Sequence, residues 1–251
     1  MRSCAQSSSA KGSSRTSVHD ADDARTERPV VWGRSEKSAM TTRPTVGTVV
    51  FVDLVRFTSL TDIHGDVTAA DAAETLTGIV RDSLAGGVEL VKSLGDGVLL
   101  VAEYPVDGLR TASTVIEQLH AGTTGLDARG GLHHGAVVWR GNDVFGTAVN
   151  LAARLAALAQ PGRLVMTRGV AVHGAELGLD SSPLGEQLVR GLRTPIEMFQ
   201  IDPCLHADDS VTDPVCGMRL RRADALHPAG NTGFCSPRCE GLYQSEPHLY
   251  G

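Results

Sequence analysis

The chain has 251 residues, 41% hydrophobic and 21% charged, which allows a packed core and excludes wholesale disorder. Twenty-three Lys and Arg against 29 Asp and Glu leave a net charge of −6, which argues against a general nucleic-acid-binding coat. No apolar run approaches the roughly 20 residues of a bilayer span, and no signal-peptide core is visible, so the expectation is a cytoplasmic protein with no membrane span.

Residues 1–44 hold nine Ser, eight Lys or Arg and five Asp or Glu. A stretch such as Ser7-Ser8-Ser9-Ala10-Lys11-Gly12 cannot bury enough surface to offset chain entropy, so the segment reads as disordered. Met40 lies close to the first strand, and a start there is an expectation that intact-mass analysis tests. Order is expected from Thr45. Val46–Val52 is a β-branched apolar run, read as a buried strand ending at Asp53. A short helix from Thr58 to about His64 precedes a longer one, capped by Asp66 and running to about Leu84, with apolar residues at helical spacing.

Val88–Leu94 and Val98–Ala102 read as strands joined by the turn Gly95-Asp96-Gly97, a strong hairpin signal. Val106–His120 is expected as a helix, Gly131–Trp139 as a strand and Thr147–Ala159 as a helix closed by Pro161-Gly162. Leu164–Met166 is a short strand, 168–177 a helix, and Leu184–Arg190 with Ile196–Ile201 a terminal strand pair. The order β-α-α-β-β-α-β implies an α+β sandwich, a mixed sheet with helices over one face. Residues 204–212 read as a polar linker, and 213–251 as a second small unit carrying Cys216, Cys235 and Cys239. Five Cys in total, three of them clustered late in the chain, favour thiols or a metal over a disulfide framework in a reducing compartment.

Asp53 ends a buried strand and Asp96 sits in a tight turn. If those strands are neighbours, both carboxylates meet at one sheet edge, the arrangement that holds hard divalent cations for phosphate chemistry. Taken singly, Asp96 is an ordinary turn residue and Asp53 an ordinary helix cap. The segment Leu54-Val55-Arg56-Phe57-Thr58 offers backbone N–H groups that can cradle phosphate. Lys92 stands at the end of an apolar strand, either as a snorkelling surface residue or as a donor to a base or phosphate. Asn150 and Arg154 share one face of a helix that is otherwise almost wholly apolar, so their polar groups need partners.

Three motifs together resemble the class III nucleotidyl cyclases. Phe51-Val52-Asp53-Leu54-Val55-Arg56-Phe57-Thr58 is similar to the family's first metal motif. Lys92-Ser93-Leu94-Gly95-Asp96-Gly97 is similar to its second, and the Asp143 to Arg154 segment to its Asp-x6-Asn-x3-Arg motif. The resemblance spans about Thr45 to Pro203 and implies a ferredoxin-like, palm-type sandwich. It implies that Asp53 and Asp96 bind two Mg or Mn ions, that Phe57, Thr58 and Arg190 contact the polyphosphate, and that Asn150 orients the ribose. Arg154 would stabilise the transition state, and Lys92 and Asp143 would read the purine. Lys donates and Asp accepts, which suits N1 and the 6-amino group of adenine, so the implied substrate is ATP and the product 3′,5′-cyclic AMP. The family builds its site between two catalytic domains, so a homodimer with two composite sites is implied.

Departures from the family are the two-residue link Gly141-Asn142, Arg190 where a Lys is common, and the vicinal pair His133-His134, which has no family role. A cyclic-dinucleotide synthase would need a Gly-Gly-Asp/Glu-Glu-Phe turn, which is absent. The alternative is a catalytically weak nucleotide-binding regulatory domain coupled to the tail. In that tail, Asp213-Pro214-Val215-Cys216-Gly217-Met218 and Phe234-Cys235-Ser236-Pro237-Arg238-Cys239 resemble the YHS domain. Cys216, Cys235 and Cys239 form a candidate second metal site, and soft thiolates suit Zn or Cu. His227 and His248 are the candidates for a fourth ligand.

Overall fold

The computed structural model describes residues 42–122, 124–204 and 209–250. Residues 1–41 of the segment expected to be disordered, the Met40 start within it, and residues 205–208 of the expected linker lie outside the described residues, whereas 42–44 belong to the first strand. The first strand, β1 (Thr42–Leu54), is longer than its apolar run because it pairs residue for residue along the whole of β4 (Ala128–Arg140), its first residues included. Helices α1 (Phe57–His64) and α2 (Asp66–Asp82) follow, then the hairpin β2 (Val88–Ser93) and β3 (Gly97–Ala102), and α3 (Pro105–Ala121). Beyond β4 come β5 (Asp143–Phe145), α4 (Thr147–Leu158), β6 (Leu164–Thr167), the short α5 (Arg168–Ala171), β7 (Ser181–Gln187) and β8 (Ile196–Ile201).

The main sheet runs β2-β3-β1-β4-β6-β8-β7, with β5 added beside β4. Only β4 and β6 are parallel; the other pairs are antiparallel. Alternation along β1 sorts its residues between two cores. Val50, Val52 and Leu54 face the helices α1, α2 and α3, where Leu76, Leu109, Ile116 and Leu119 are fully buried. Val49 faces the other way, toward Leu99, Val137, Trp139 and α4.

The expected single helical layer is therefore corrected: α1–α3 cover one face and α4 covers the other. Gly131 shows how closely α4 approaches. A Cβ built there would overlap the α4 backbone at Ala152 and Ala156, so only glycine permits this crossing. α4 continues into a third cluster, where Leu151 and Leu155 pack on Val165, Val189 and Met198.

Four local expectations also change. Gly65, not Asp66, is the N-cap of α2, and Asp66 is its first residue, where its charge still complements the helix dipole. That helix ends at Asp82. The helix expected over 168–177 divides into α5 and a 3-10 turn at Ala175–Leu177, with the Gly174 carbonyl accepting from both Leu177 N–H and Leu179 N–H. Glycine at 169 and 174 weakens a continuous helix there. The strand expected over 184–190 is displaced to 181–187 by a bulge between Pro183 and Gly185 on an exposed edge, which leaves Arg190 in the following turn.

The tail begins with β9 (Ser210–Thr212), inside the stretch read as linker. It forms a small sheet with β10 (Arg219–Arg221), β11 (Leu226–Ala229) and β12 (Thr232–Phe234), in the order β10-β9-β12-β11, followed by α6 (Pro237–Ser245). The tail packs on the larger body. Arg219 N–H donates to the Gly125 carbonyl at 2.8 Å, and Val215, Cys216 and Cys239 share a buried cluster with Ile63 of α1. Among the described residues, no helix is long and apolar enough to cross a membrane.

Candidate active site

Register brings the first set of residues together. In β1, Asp53 stands opposite Gly97 of β3 and opposite Arg129 of β4. Asp96, one residue before Gly97, holds the end of β1 by accepting a backbone hydrogen bond from Leu54 N–H at 2.8 Å. The two aspartates line one cavity of about 240 Å³ with Phe51, Leu94, Gly97 and the α4 residues Ala153, Ala156 and Ala157. Burial and then the Asp96 charge push the Asp53 carboxyl above its ordinary value, outweighing the opposite pull of Arg129. Arg129 Nη2 lies 3.4 Å from Asp53 Oδ2 and its Nη1 donates to the Ala157 carbonyl at 3.1 Å. Sequence reasoning missed Arg129, because only cross-strand register puts it beside Asp53. Two carboxylates lining one cavity offer the oxygen donors that hard divalent ions such as Mg²⁺ or Mn²⁺ prefer.

The second set is Lys92 and Asp143. The ammonium of Lys92 lies 2.7 and 2.8 Å from the two carboxylate oxygens of Asp143. A bulge between Leu90 and Lys92 arranges this: Leu90 is opposite Leu100, but Lys92 is opposite Leu99. Leu100 belongs to the core under α1–α3 and Leu99 to the core under α4. The extra residue thus transfers Lys92 to the face that β5 borders. The hydrogen bond from Lys92 holds the Asp143 carboxyl below its ordinary range, and Asp143 also accepts from Val144 N–H at 2.8 Å.

The third set lies on α4. Asn150 is exposed and Arg154 half-buried, and neither lines the aspartate cavity. A Cβ on Gly191 would come within 3.0 Å of the Arg154 guanidinium, so that side chain reaches back toward the Arg190-Gly191 turn. One chain therefore places Asp53 and Asp96 together, and Lys92 with Asp143, and turns Arg154 elsewhere.

The expected phosphate cradle is narrower than residues 54–58. Leu54 N–H is engaged by the Asp96 carbonyl and Val55 N–H by the Asp127 carbonyl, leaving the start of α1 at Phe57 and Thr58. Its cap, Arg56, adopts a left-handed backbone with φ 55°, and this residue type occupies that region at a cost of about 1–3 kcal/mol. The compensating contacts come from the tail. Arg56 Nη1 donates to the Pro214 carbonyl, and a Cβ on Gly217, where φ is 79°, would meet Arg56 Cδ at 2.6 Å.

The three tail cysteines lie together. Cys235 Sγ lies 3.6 Å from Cys216 Sγ and 3.5 Å from Cys239 Sγ. Asp213, fully buried, ties their backbones together: one oxygen accepts from Val215 N–H and Cys216 N–H, the other from Cys235 N–H. Burial would raise the Asp213 carboxyl, but these N–H donors win and hold it low. His227 is instead paired with Glu240 at 2.7 Å, and His248 sits exposed in a 3-10 turn.

A model of the adenylate and guanylate cyclase catalytic domain matches residues 40–203, and the chain belongs to that family. It is 31% identical over 158 residues to a pH-sensitive adenylate cyclase of Mycobacterium tuberculosis, a match covering 61% of this chain and 40% of that protein. To an adenylate cyclase of Glutamicibacter nicotianae it is 35% identical over 133 residues, covering 53% and 33%. The chain thus spans less than half the length of these relatives. Among solved structures, the adenylyl cyclase CyaB from P. aeruginosa superimposes with a TM-score of 0.56 at 18% identity, over 64% of this chain and 96% of that one. The catalytic core of a rhodopsin-guanylyl cyclase with converted specificity gives 0.53 at 21% identity, over 64% and 97%. These likenesses show the mixed α+β cyclase fold.

Proposed function

We propose that this chain is an adenylate cyclase, which converts ATP into 3′,5′-cyclic AMP and pyrophosphate at a site shared by two copies of itself. The observation that carries the reading is the meeting of Asp53 and Asp96 in one cavity whose α4 wall is alanine, with Arg154 turned away from it. An attacking hydroxyl and a triphosphate need both a metal-binding acid pair and a cation at the α-phosphoryl group. Here one chain supports the first requirement and a second copy would bring the other.

In this reading Asp53 and Asp96 hold two Mg²⁺ or Mn²⁺ ions. When bound, such ions acidify the ribose 3′-hydroxyl and neutralise the triphosphate. The start of α1 at Phe57 and Thr58 receives phosphate oxygens, with Arg190 as a further cation. Asn150 orients the ribose, and Arg154 stabilises charge on the α-phosphoryl group as the 3′-oxygen attacks and pyrophosphate leaves. Lys92 donates to adenine N1, and Asp143 accepts from the 6-amino group. Their mutual ion pair is compatible with this, because an ammonium has three donors and a carboxylate about four acceptor positions. Guanine presents the opposite pattern, N1–H and O6.

Incubating the purified chain with ATP and Mn²⁺ should yield cyclic AMP. Asp53→Ala should abolish the product, and Arg154→Ala should lower the rate at least about 100-fold. Mixing the two variants should restore activity to about a quarter of the wild-type level, since half of random dimers hold one intact site of two. No product from the wild-type chain would end the cyclase reading; no recovery on mixing would end the shared site.

A further inference from the structure

The tail cysteines gain a partner that the sequence did not offer. His64, the last residue of α1, places Nε2 3.6 Å from Cys235 Sγ. The ligand atoms of His64, Cys216, Cys235 and Cys239 all lie within 4.8 Å of one another. Cys216 and Cys239 are buried, and Cys235 and His64 half-buried. All three cysteines are free thiols, and their sulfurs are far beyond the roughly 2.05 Å of a disulfide. Four donors about 2.0–2.3 Å from one centre, tetrahedrally disposed, are separated by about 3.5–3.8 Å. The nearest separations here, 3.5, 3.6 and 3.6 Å, match that edge.

The donors come from three pieces of backbone that are each held. Cys216 and Cys235 hang on the Asp213 carboxylate. Cys239 lies one turn into α6, which Ser236 caps by accepting from Cys239 N–H at 3.3 Å. His64 is fixed by α1, whose Ile63 packs on Val215. Phe234, Tyr243 and Tyr250 pack around the cluster, giving the apolar shell that excludes water from a closed site.

We propose that His64 completes a Cys₃His site for Zn²⁺ that fastens the catalytic domain to the tail. Three thiolates and one imidazole with no open position make a structural centre rather than a catalytic one, and binding releases thiol protons to solvent. The site also explains the geometry of α1. This eight-residue helix is gripped by the tail at both ends, through Arg56 on Pro214 and Gly217, and through His64 among the cysteines. Its first residue follows Asp53 by four positions. On the cyclase reading, zinc therefore braces the phosphate-binding end of α1. The site itself does not depend on that reading.

The test uses the full chain, reduced and stripped with a chelator, then titrated with Zn²⁺ against a chromophoric competitor. One Zn²⁺ per chain should bind, with a Kd tighter than about 10 nM. Co²⁺ in its place should show thiolate charge transfer and the visible bands of a tetrahedral site. His64→Asn should weaken Zn²⁺ at least about 100-fold, more than the loss of an outer-shell partner does, while His227→Asn and His248→Asn should not. Amide exchange across 57–64 should slow on Zn²⁺ addition in the wild-type chain and not in His64→Asn. Zinc binding within about threefold of wild type in His64→Asn, or no zinc retained at micromolar concentration, would overturn the proposal. None of these readouts uses ATP turnover, so the outcome is separable from that of the cyclase assay. Circular dichroism of the metal-free His64→Asn chain checks its fold, and Cys235→Ala, which leaves α1 intact, should independently abolish the charge-transfer band.

Discussion

Lys92 and Asp143, 51 positions apart in the chain, close a two-pronged ion pair at 2.7 and 2.8 Å, and they meet because one extra residue in β2 turns Lys92 to the other face of the sheet. A strand without that bulge would aim Lys92 at the underside of α2 and leave Asp143 without its cation.

Both partners are 37% exposed, so the pair itself adds little stability, about 0–1 kcal/mol. Combining Lys92→Glu with Asp143→Cys should therefore shift the melting temperature by no more than about 4 °C. In the proposed role the same change should raise the KM for ATP at least about tenfold, since polar groups of a bound base left unpaired are costly. Steady-state kinetics beside thermal unfolding check this. An unchanged KM would reduce the pair to a surface contact.

Arg129 competes with any cation for Asp53. Replacing it with Met removes a positive charge 3.4 Å from the Asp53 carboxylate and with it the repulsion felt by an incoming divalent ion. The Mn²⁺ concentration for half-maximal activity should fall about three- to tenfold at low salt. Metal titration at two ionic strengths measures it, and the difference should shrink as salt screens the charge.

Gly131→Ala should disrupt the protein out of proportion to its size. The added methyl would overlap the backbone of α4, so the helix must lift off the sheet and carry Asn150 and Arg154 with it. Overpacking of this kind costs about 1–3 kcal/mol or more, a fall of about 2–12 °C or more in melting temperature. Gly78→Ala is the control: nothing lies within 4 Å of its Cβ, in the interior of α2, and alanine should stabilise by about 0.5–1 kcal/mol.

His133 and His134 predict a loss of stability in mild acid. Burial and then the neighbouring His134 hold His133 below its ordinary 6.5, and burial and then His173 do the same for His134. Each bonds a hydroxyl through Nδ1, His133 that of Thr167 and His134 that of Thr48, both at 2.9 Å. Between these lowered values and 6.5 the unfolded chain binds more protons than the folded one. Stability therefore rises with pH across that window and falls as the pH drops below 6.5. Thermal unfolding from about pH 7.5 to 5 should show this slope, and the double variant His133→Gln, His134→Gln should flatten it.

The three cyclase motifs are legible in the sequence alone because each is local. An aspartate ending a β-branched run, an Asp-Gly turn between apolar runs, and an Asn and Arg four apart on an alanine-rich helix each declare themselves within about ten residues. Strand and helix identities are legible for the same reason: periodicity repeats within a single element. The tail cysteines also announce themselves as a cluster, through residue type and spacing. The register that sets Arg129 beside Asp53, the bulge that re-aims Lys92, and the second face taken by α4 are not legible. Each is decided by burial summed over residues far apart in the chain, and a one-residue slip would reverse it. His64 carries no local mark at all. It becomes a candidate ligand only because the tail folds back onto α1, a placement set by the packing of Ile63 on Val215 and by the Arg56 contacts to Pro214 and Gly217.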